Sequence, residues 1–193
     1  GNAPSSQSSP DGQRTQAPSG AAYALENRRV MSRVFPHLFR TTGVQRLTPF
    51  IHAMRSALLS AVPDGVDDPS IVILSPGSLS ETAFEHASIA AQLGYPLVQG
   101  SDLQSRNGRI GLRTVGGWMP VHVILRRVDA GFCDPLELRS DSTLGIPGLT
   151  DACRAGAATL RVGLRFGWCR RWGKWRCGGD RLRLTGLEVV AVG

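Results

Sequence analysis

The chain has 193 residues, 41% of them apolar, a formal net charge of +7 and four cysteines; that is enough for one domain with a real core and some appendages. No apolar run approaches the eighteen or so residues of a membrane span, and the polar Ser/Pro-rich start lacks a charged-then-apolar leader pattern. A soluble, cytoplasmic protein is therefore expected, and Cys133, Cys153, Cys169 and Cys177, without C-x-x-C pairing, are expected as reduced thiols rather than a structural zinc site.

Residues 1–20 are rich in Asn, Ser, Gln, Pro and Gly and cannot repay the entropy of ordering by burial, so a flexible segment is predicted. A start on Gly1 reads as a fragment or processed product. Tyr23 to Val34 reads as helix, interrupted by Pro36, which lacks an amide donor and clashes with the preceding turn. Met31, Val34, Phe35 and Leu38 share a face across that break. A second helix opens with Thr48 as cap and Pro49 in its first turn, and places Phe50, Ile51, Met54, Leu58 and Val62 on one core side. His37 and His52 read as ordinary histidines of these helices, not ligands.

Ile71 to Leu74 is a short buried strand, Ser78 and Glu81 form a capping box, Gly94 closes the helix and Leu97-Val98 begins the next strand. The 28 residues from Ile71 to Val98 suit a strand, right-handed crossover helix and parallel strand. Ser78 could hold an anion at a helix N-terminus or serve only as a cap. Asn107-Gly108 is a two-residue hairpin signal, and Gly116-Gly117 makes another turn.

Val121 to Leu125 is a β-branched, nearly continuous apolar run that empties into Arg126, Arg127, Asp129, Asp134, Glu137, Arg139 and Asp141, all within sixteen positions. Loops at strand carboxyl ends are where ligands sit in α/β sheets, so this cluster is either a binding site or a solvated loop of compensating ion pairs. Pro147 starts a helix, and Ala157 to Leu160 begins a strand. The expected architecture is an α/β domain over residues 21–160, a mixed sheet with flanking helices. It is preceded by the flexible segment 1–20, which contains the start of a catalytic loop, and followed by an irregular basic tail, 161–193.

The charge is uneven. Residues 1–160 carry 14 Arg against 13 Asp and Glu, whereas residues 161–193 carry seven Arg and Lys174 against Asp180 and Glu188. The tail also holds Trp168, Trp172 and Trp175, an interleaving that could stack bases and pair phosphates. It has no recognised binding-domain pattern, and nucleic acid is not the expected partner.

Upstream, Arg14, Thr15, Gln16, Pro18, Ser19 and Gly20 directly precede a helix bearing Glu26, Asn27, Arg28 and Arg29. Pro and Gly fix such a loop, hydroxyls and amides can meet phosphate, and Glu26 and Asn27 offer oxygens to a hard cation, though a plain helix start fits the same pattern.

Taken together, RTQAPSGAAYALENRR, VILSPGSLSETAFEHASIAAQLGYPLVQGSDL and VHVILRRVDAGFCDPLELRSDSTLGIPGL resemble the circularly permuted type 2 ATP-grasp family in order and spacing, from about Gly12 to about Thr159. The resemblance implies a pre-ATP-grasp-like fold and ATP-dependent carboxylate–amine ligation, similar to glutathionylspermidine synthase. ATP and Mg2+ would convert a carboxylate into an acyl phosphate that an amine or peptide amine attacks. It implies that Arg14, Gln16, Ser19, Arg126 and Arg127 are catalytic. It also implies that Thr15, Glu26, Asn27, Arg28, Asp129, Asp134, Glu137 and Arg139 bind substrate or organise the site, with no metal ligand assigned. Guanidinium suits such work because it clamps phosphate or carboxylate at two points.

Three departures accompany it. Gln13 stands where the pattern has an acidic residue, the only lysine is Lys174, and the sequence after about Leu160 leaves the pattern. A truncated ligase, inactive alone, is therefore expected. The alternatives are a non-catalytic interaction module or nucleic-acid binding through the tail.

Overall fold

The computed structural model describes residues 19–161. In chain order these form α1 (Ala21–Val34), α2 (Pro36–Thr41), α3 (Thr48–Leu59), β1 (Ile71–Leu74), α4 (Ala83–Leu93), β2 (Leu97–Val98), β3 (Leu103–Arg106), β4 (Arg109–Thr114), β5 (Gly117–Pro120), β6 (Val123–Arg126), α5 (Leu149–Arg154) and β7 (Thr159–Arg161). The result is the expected α/β architecture, with its strands divided between two sheets. One is a four-stranded sheet in the order β2-β1-β6-β7, parallel throughout; the other is an antiparallel β3-β4-β5 meander.

The meander follows from turn chemistry. Asn107 and Gly108 both adopt positive φ, 51° and 71°, the conformation that a two-residue hairpin matched to strand twist requires. β3 and β4 consequently pair from Arg106↔Arg109 to Leu103↔Leu112. The meander's inner face, with Leu103 and Ile110, joins Val72, Leu74, Ile124, Ile146, Leu149 and Ala152 in one core layer. The other face of the parallel sheet, with Ile71, Ile73, Val123 and Leu125, packs against Ala22 of α1, Met54 and Leu58 of α3, and Ile89, Ala90 and Leu93 of α4. All four residues of β1 and of β6 are buried, which is why both read as uninterrupted apolar runs up to Arg126.

The helices match their sequence signals with three adjustments. α3 has Pro49 in its first turn and buries Met54 and Leu58 as expected, but Thr48 is its first residue and not its cap, a position held by Leu47 with no side-chain bond. The face shared by Met31, Val34, Phe35 and Leu38 is exposed, because α1 reaches the core through its first turn, where Ala22 is fully buried. α4 does not open on a Ser78/Glu81 capping box. It starts at Ala83 after a turn closed by Ser80 N–H donating to the Gly77 carbonyl, and Ser78 and Glu81 are both exposed. The reciprocal box occurs instead at Gln99 and Asp102, where the Gln99 amide donates to Asp102 Oδ2 at 2.8 Å. Gly94 closes α4 in the left-handed conformation, φ 73°, as expected.

β7 runs through Arg161 and pairs Leu125↔Arg161, so the boundary expected at residue 160 falls inside a strand. The segment 128–148 is held against the end of β2 backbone to backbone. A Cβ at Gly145 would collide with the Phe132 and Cys133 carbonyls, and one at Gly100 with those of Leu144 and Gly145. No helix among the described residues is long and apolar enough to cross a membrane.

Candidate functional site

Strand order locates the site. From β1 the chain crosses by α4 to β2 on one side, while β6 lies on β1's other side and continues through α5 to β7. α4 packs on one face of the sheet and α5 on the other, so the connections diverge between β1 and β6. In open α/β sheets, the crevice at the carboxyl ends of two such strands takes the ligand.

The register pairs Leu74↔Arg126, and the Arg127 amide donates to the Leu74 carbonyl at 2.8 Å, which sets Ser75 and Arg127 side by side on that rim. Successive strand residues face opposite ways, so the two arginines separate. Arg126 turns toward the α5 face, where its Nη1 donates to the Val128 carbonyl at 2.7 Å and it lies beside Cys133. Arg127 turns toward α4, where it faces Glu85 and His86. Burial pushes the Arg127 guanidinium down from its ordinary pKa, and the Glu85 carboxylate pulls it back up.

Glu85 is 1% exposed, on the first turn of α4, in line with the core residues Ile89 and Leu93. Its carboxylate accepts the Gly20 amide at 2.7 and 2.6 Å and the Ala21 amide at 3.1 Å, satisfying donors that a helix N-terminus otherwise leaves open. One buried carboxylate therefore ties the start of α1 to the strand rim beside Arg127. His86 Nδ1 lies 2.9 Å from Ser75 Oγ and its Nε2 3.0 Å from Thr82 Oγ1. Burial, then the Arg127 charge, hold this imidazole below its usual pKa, with Glu85 opposing.

Sequence reasoning missed Glu85, His86 and the inward role of Ser75. The signal was available: a Glu at four- and eight-residue spacing from Ile89 and Leu93, on the buried stripe of a helix, has to have a partner.

The remaining candidates fall in several places. Arg14, Thr15 and Gln16 lie outside the described residues. Ser19 is exposed and immediately precedes the tethered Gly20 amide. Glu26 pairs with Arg29 at 2.6 Å, Asn27 is exposed, and Arg28 donates to the Gln45 carbonyl and lies over the Phe39 ring at 5.9 Å. Asp129 is exposed, two residues past Arg127. Asp134 is fully buried and accepts the amides of Leu136, Gly148 and Thr150 at 3.0, 3.2 and 2.9 Å. Burial works to raise its pKa, and the bonds from Thr150, Leu136 and Gly148 outweigh that and hold it low. Glu137 pairs with Arg154 at 2.6 Å. Arg139 pairs with Asp141 at 2.7 Å and stacks over Phe132 at 4.4 Å. The dense loop thus resolves largely into local pairs and a helix cap.

Among the described residues no three His, Cys, Asp or Glu side chains group so as to hold a metal ion. Glu85 spends its oxygens on backbone amides and Glu26 on Arg29, so the described donors do not fit a resident magnesium site.

The comparisons with known proteins identify the family. The family model described as circularly permuted ATP-grasp type 2 matches residues 11–165. The chain is 48% identical over 146 residues to the Uncharacterized protein Rv2567 of Mycobacterium tuberculosis, a stretch covering 76% of this chain and 16% of that one. It is 43% identical over 145 residues to Rv2411c of the same organism, covering 75% and 26%, and 40% identical over 145 residues to sll0335 of Synechocystis, covering 75% and 30%. The chain thus spans less than a third of the length of these relatives. With a match that takes in both the segment leading into α1 and the whole β1 to β7 unit, the chain belongs to the circularly permuted ATP-grasp type 2 family.

Proposed function

We propose that the rim between β1 and β6 is the part of an ATP-dependent carboxylate–amine ligase that holds the transferred phosphoryl group and its acceptor carboxylate. The supporting observation is the Glu85 tether, which holds the Gly20 and Ala21 amides, directly after Ser19, at the same edge as Arg127. In this reading the carboxylate oxygen attacks the γ-phosphorus of ATP, and ADP departs. The amine then attacks the acyl carbon, inorganic phosphate leaves, and the amine's surplus proton passes to solvent. Arg127 and the Arg14–Ser19 loop offset the negative charge that gathers on the phosphoryl oxygens. Magnesium arrives with ATP as its counter-ion. In this reading Asp129, exposed two residues past Arg127, meets the amine. Arg126 supports the loop from beneath by holding the Val128 carbonyl.

A phosphate-release assay on one of the full-length relatives, with the arginine that matches Arg127 as the substituted position and with Mg·ATP, mixed carboxylates and amines supplied, tests the reading. Release that depends on both co-substrates, and falls at least about a hundredfold when that arginine becomes alanine, is expected. Release indifferent to that substitution, or the lack of any release above the buffer rate, contradicts it.

A further inference from the structure

Around the end of β1 the side chains form one continuous hydrogen-bond chain. The Gly77 amide donates to Ser75 Oγ at 3.2 Å, Ser75 Oγ meets His86 Nδ1, His86 Nε2 meets Thr82 Oγ1, and Thr82 Oγ1 lies 3.1 Å from Ser80 Oγ. Ser80 Oγ also accepts the Thr82 amide at 3.3 Å. The imidazole therefore fastens both ends of the turn 75–82, the segment that carries the β1 rim into α4.

The direction of this chain follows from counting protons. A neutral imidazole has one N–H and one bare nitrogen. Ser75 is 2% exposed, and its hydroxyl hydrogen needs an acceptor in the interior. His86 Nδ1 supplies it if the ring proton sits on Nε2. Nε2–H then donates to Thr82 Oγ1, and the Thr82 hydroxyl donates to Ser80, which is half-exposed and can pass its own hydrogen to water. The other tautomer, or the imidazolium, would make Nδ1 a donor to Ser75 Oγ and take away the acceptor of the buried hydroxyl hydrogen. The charged groups facing the ring are Arg127 from β6, which disfavours the imidazolium, and Glu85 on α4, which favours it. Ser75 from β1 and Thr82 from the turn complete its surroundings.

We propose that His86 is a positioning residue for the anion site. As a neutral Nε2–H imidazole it locks the turn 75–82 beside Arg127, and ligands bearing phosphate bind while that lock is closed. This rests on the phosphoryl-handling reading of the rim and adds a proton-controlled element to it. Low pKa of the ring keeps the lock closed at neutral pH.

The test combines two measurements on the whole chain. Imidazole 15N resonances without ligand report the tautomer and its titration. Mg·ATP binding from pH 8 to pH 5 reports the lock. We expect the Nε2–H form at pH 7, titrating below the usual histidine range, and Mg·ATP affinity that falls at least tenfold through that same titration. His86→Ala should bind weakly at every pH without the acid limb. His86→Asn, whose amide oxygen can accept from Ser75, should regain part of the affinity and still lack the limb. If His86→Ala fails to fold, His86→Asn and the wild-type resonances decide. An Nδ1–H tautomer, an imidazolium at pH 7, or an acid limb that survives in His86→Asn overturns the proposal. If Arg127→Ala loses binding while the His86 variants match the wild type, the lock is wrong and the phosphoryl site stands. A wild-type chain that binds no Mg·ATP overturns both.

Discussion

Two stretches of this molecule are rich in charge, and they are built in opposite ways. In the loop from Asp134 to Arg154 the partners are local. Arg139 pairs with Asp141, Arg154 with Glu137 and Asp151, and Asp134 with amides of its own loop and the start of α5. At the β1–β6 rim the density of charge in sequence is low, yet Arg127, Glu85, His86, Ser75 and the Gly20 amide come from four elements and meet in the interior. The difference teaches that clustering along the chain measures how easily charges satisfy one another. Convergence between distant, buried groups is what singles out the rim as the candidate site.

Substitutions should separate the two regions. The largest effect is expected for Glu85→Ala, which removes the carboxylate that faces the buried Arg127 and leaves two amides without their acceptor. A loss of about 3–5 kcal/mol in urea unfolding is expected, and a loss below about 1 kcal/mol would show that the tether is dispensable. Asp134→Ala comes next, at about 3 kcal/mol, because three amides lose one acceptor. Its folded pKa lies below the ordinary 3.8, so its contribution is complete above that value and declines as pH falls through the lower folded one. In Asp134→Asn this acid-side decline should flatten.

Burial pushes both Cys133 and Cys153 up to about 11, so these two thiols should react with a thiol reagent at pH 8 far more slowly in the native protein than in the urea-unfolded one, read residue by residue by mass spectrometry. Equal rates would mean that the core around Arg126 is open. The smallest effect belongs to the exposed pair. Arg139→Ala should leave Tm unchanged by calorimetry, and a clear drop would make the loop as interdependent as the rim.

Much of the fold was legible. Asn107-Gly108 allows few alternatives to a tight hairpin, Pro49 and the Met54/Leu58 stripe define α3, and the spacing of Ile71, Gly94 and Leu97 predicts a parallel pair. The start of α4 was not legible from its local pattern. Ser78 and Glu81 satisfy the capping-box pattern, but the turn is instead organised by Thr82 and Ser75 reaching His86, a contact that appears only once β1 and α4 pack. The site was half legible. Of the groups at the candidate rim, the sequence named Arg127, and Ser19 next to the tethered Gly20, and strand alternation alone could have separated Arg126 from Arg127. Glu85 and His86 were passed over because a polar residue in an amphipathic helix is usually solvated, and it is their position on the buried stripe that excludes water.

The most direct test is a calorimetric titration of Mg·ATP into the whole chain, comparing Arg127→Ala with Arg109→Ala, a change of the same charge on the exposed start of β4. At least a tenfold weakening for Arg127→Ala, with Arg109→Ala at the wild-type value, is the predicted result. Equal affinities for the two variants would contradict a phosphoryl site at the rim between β1 and β6.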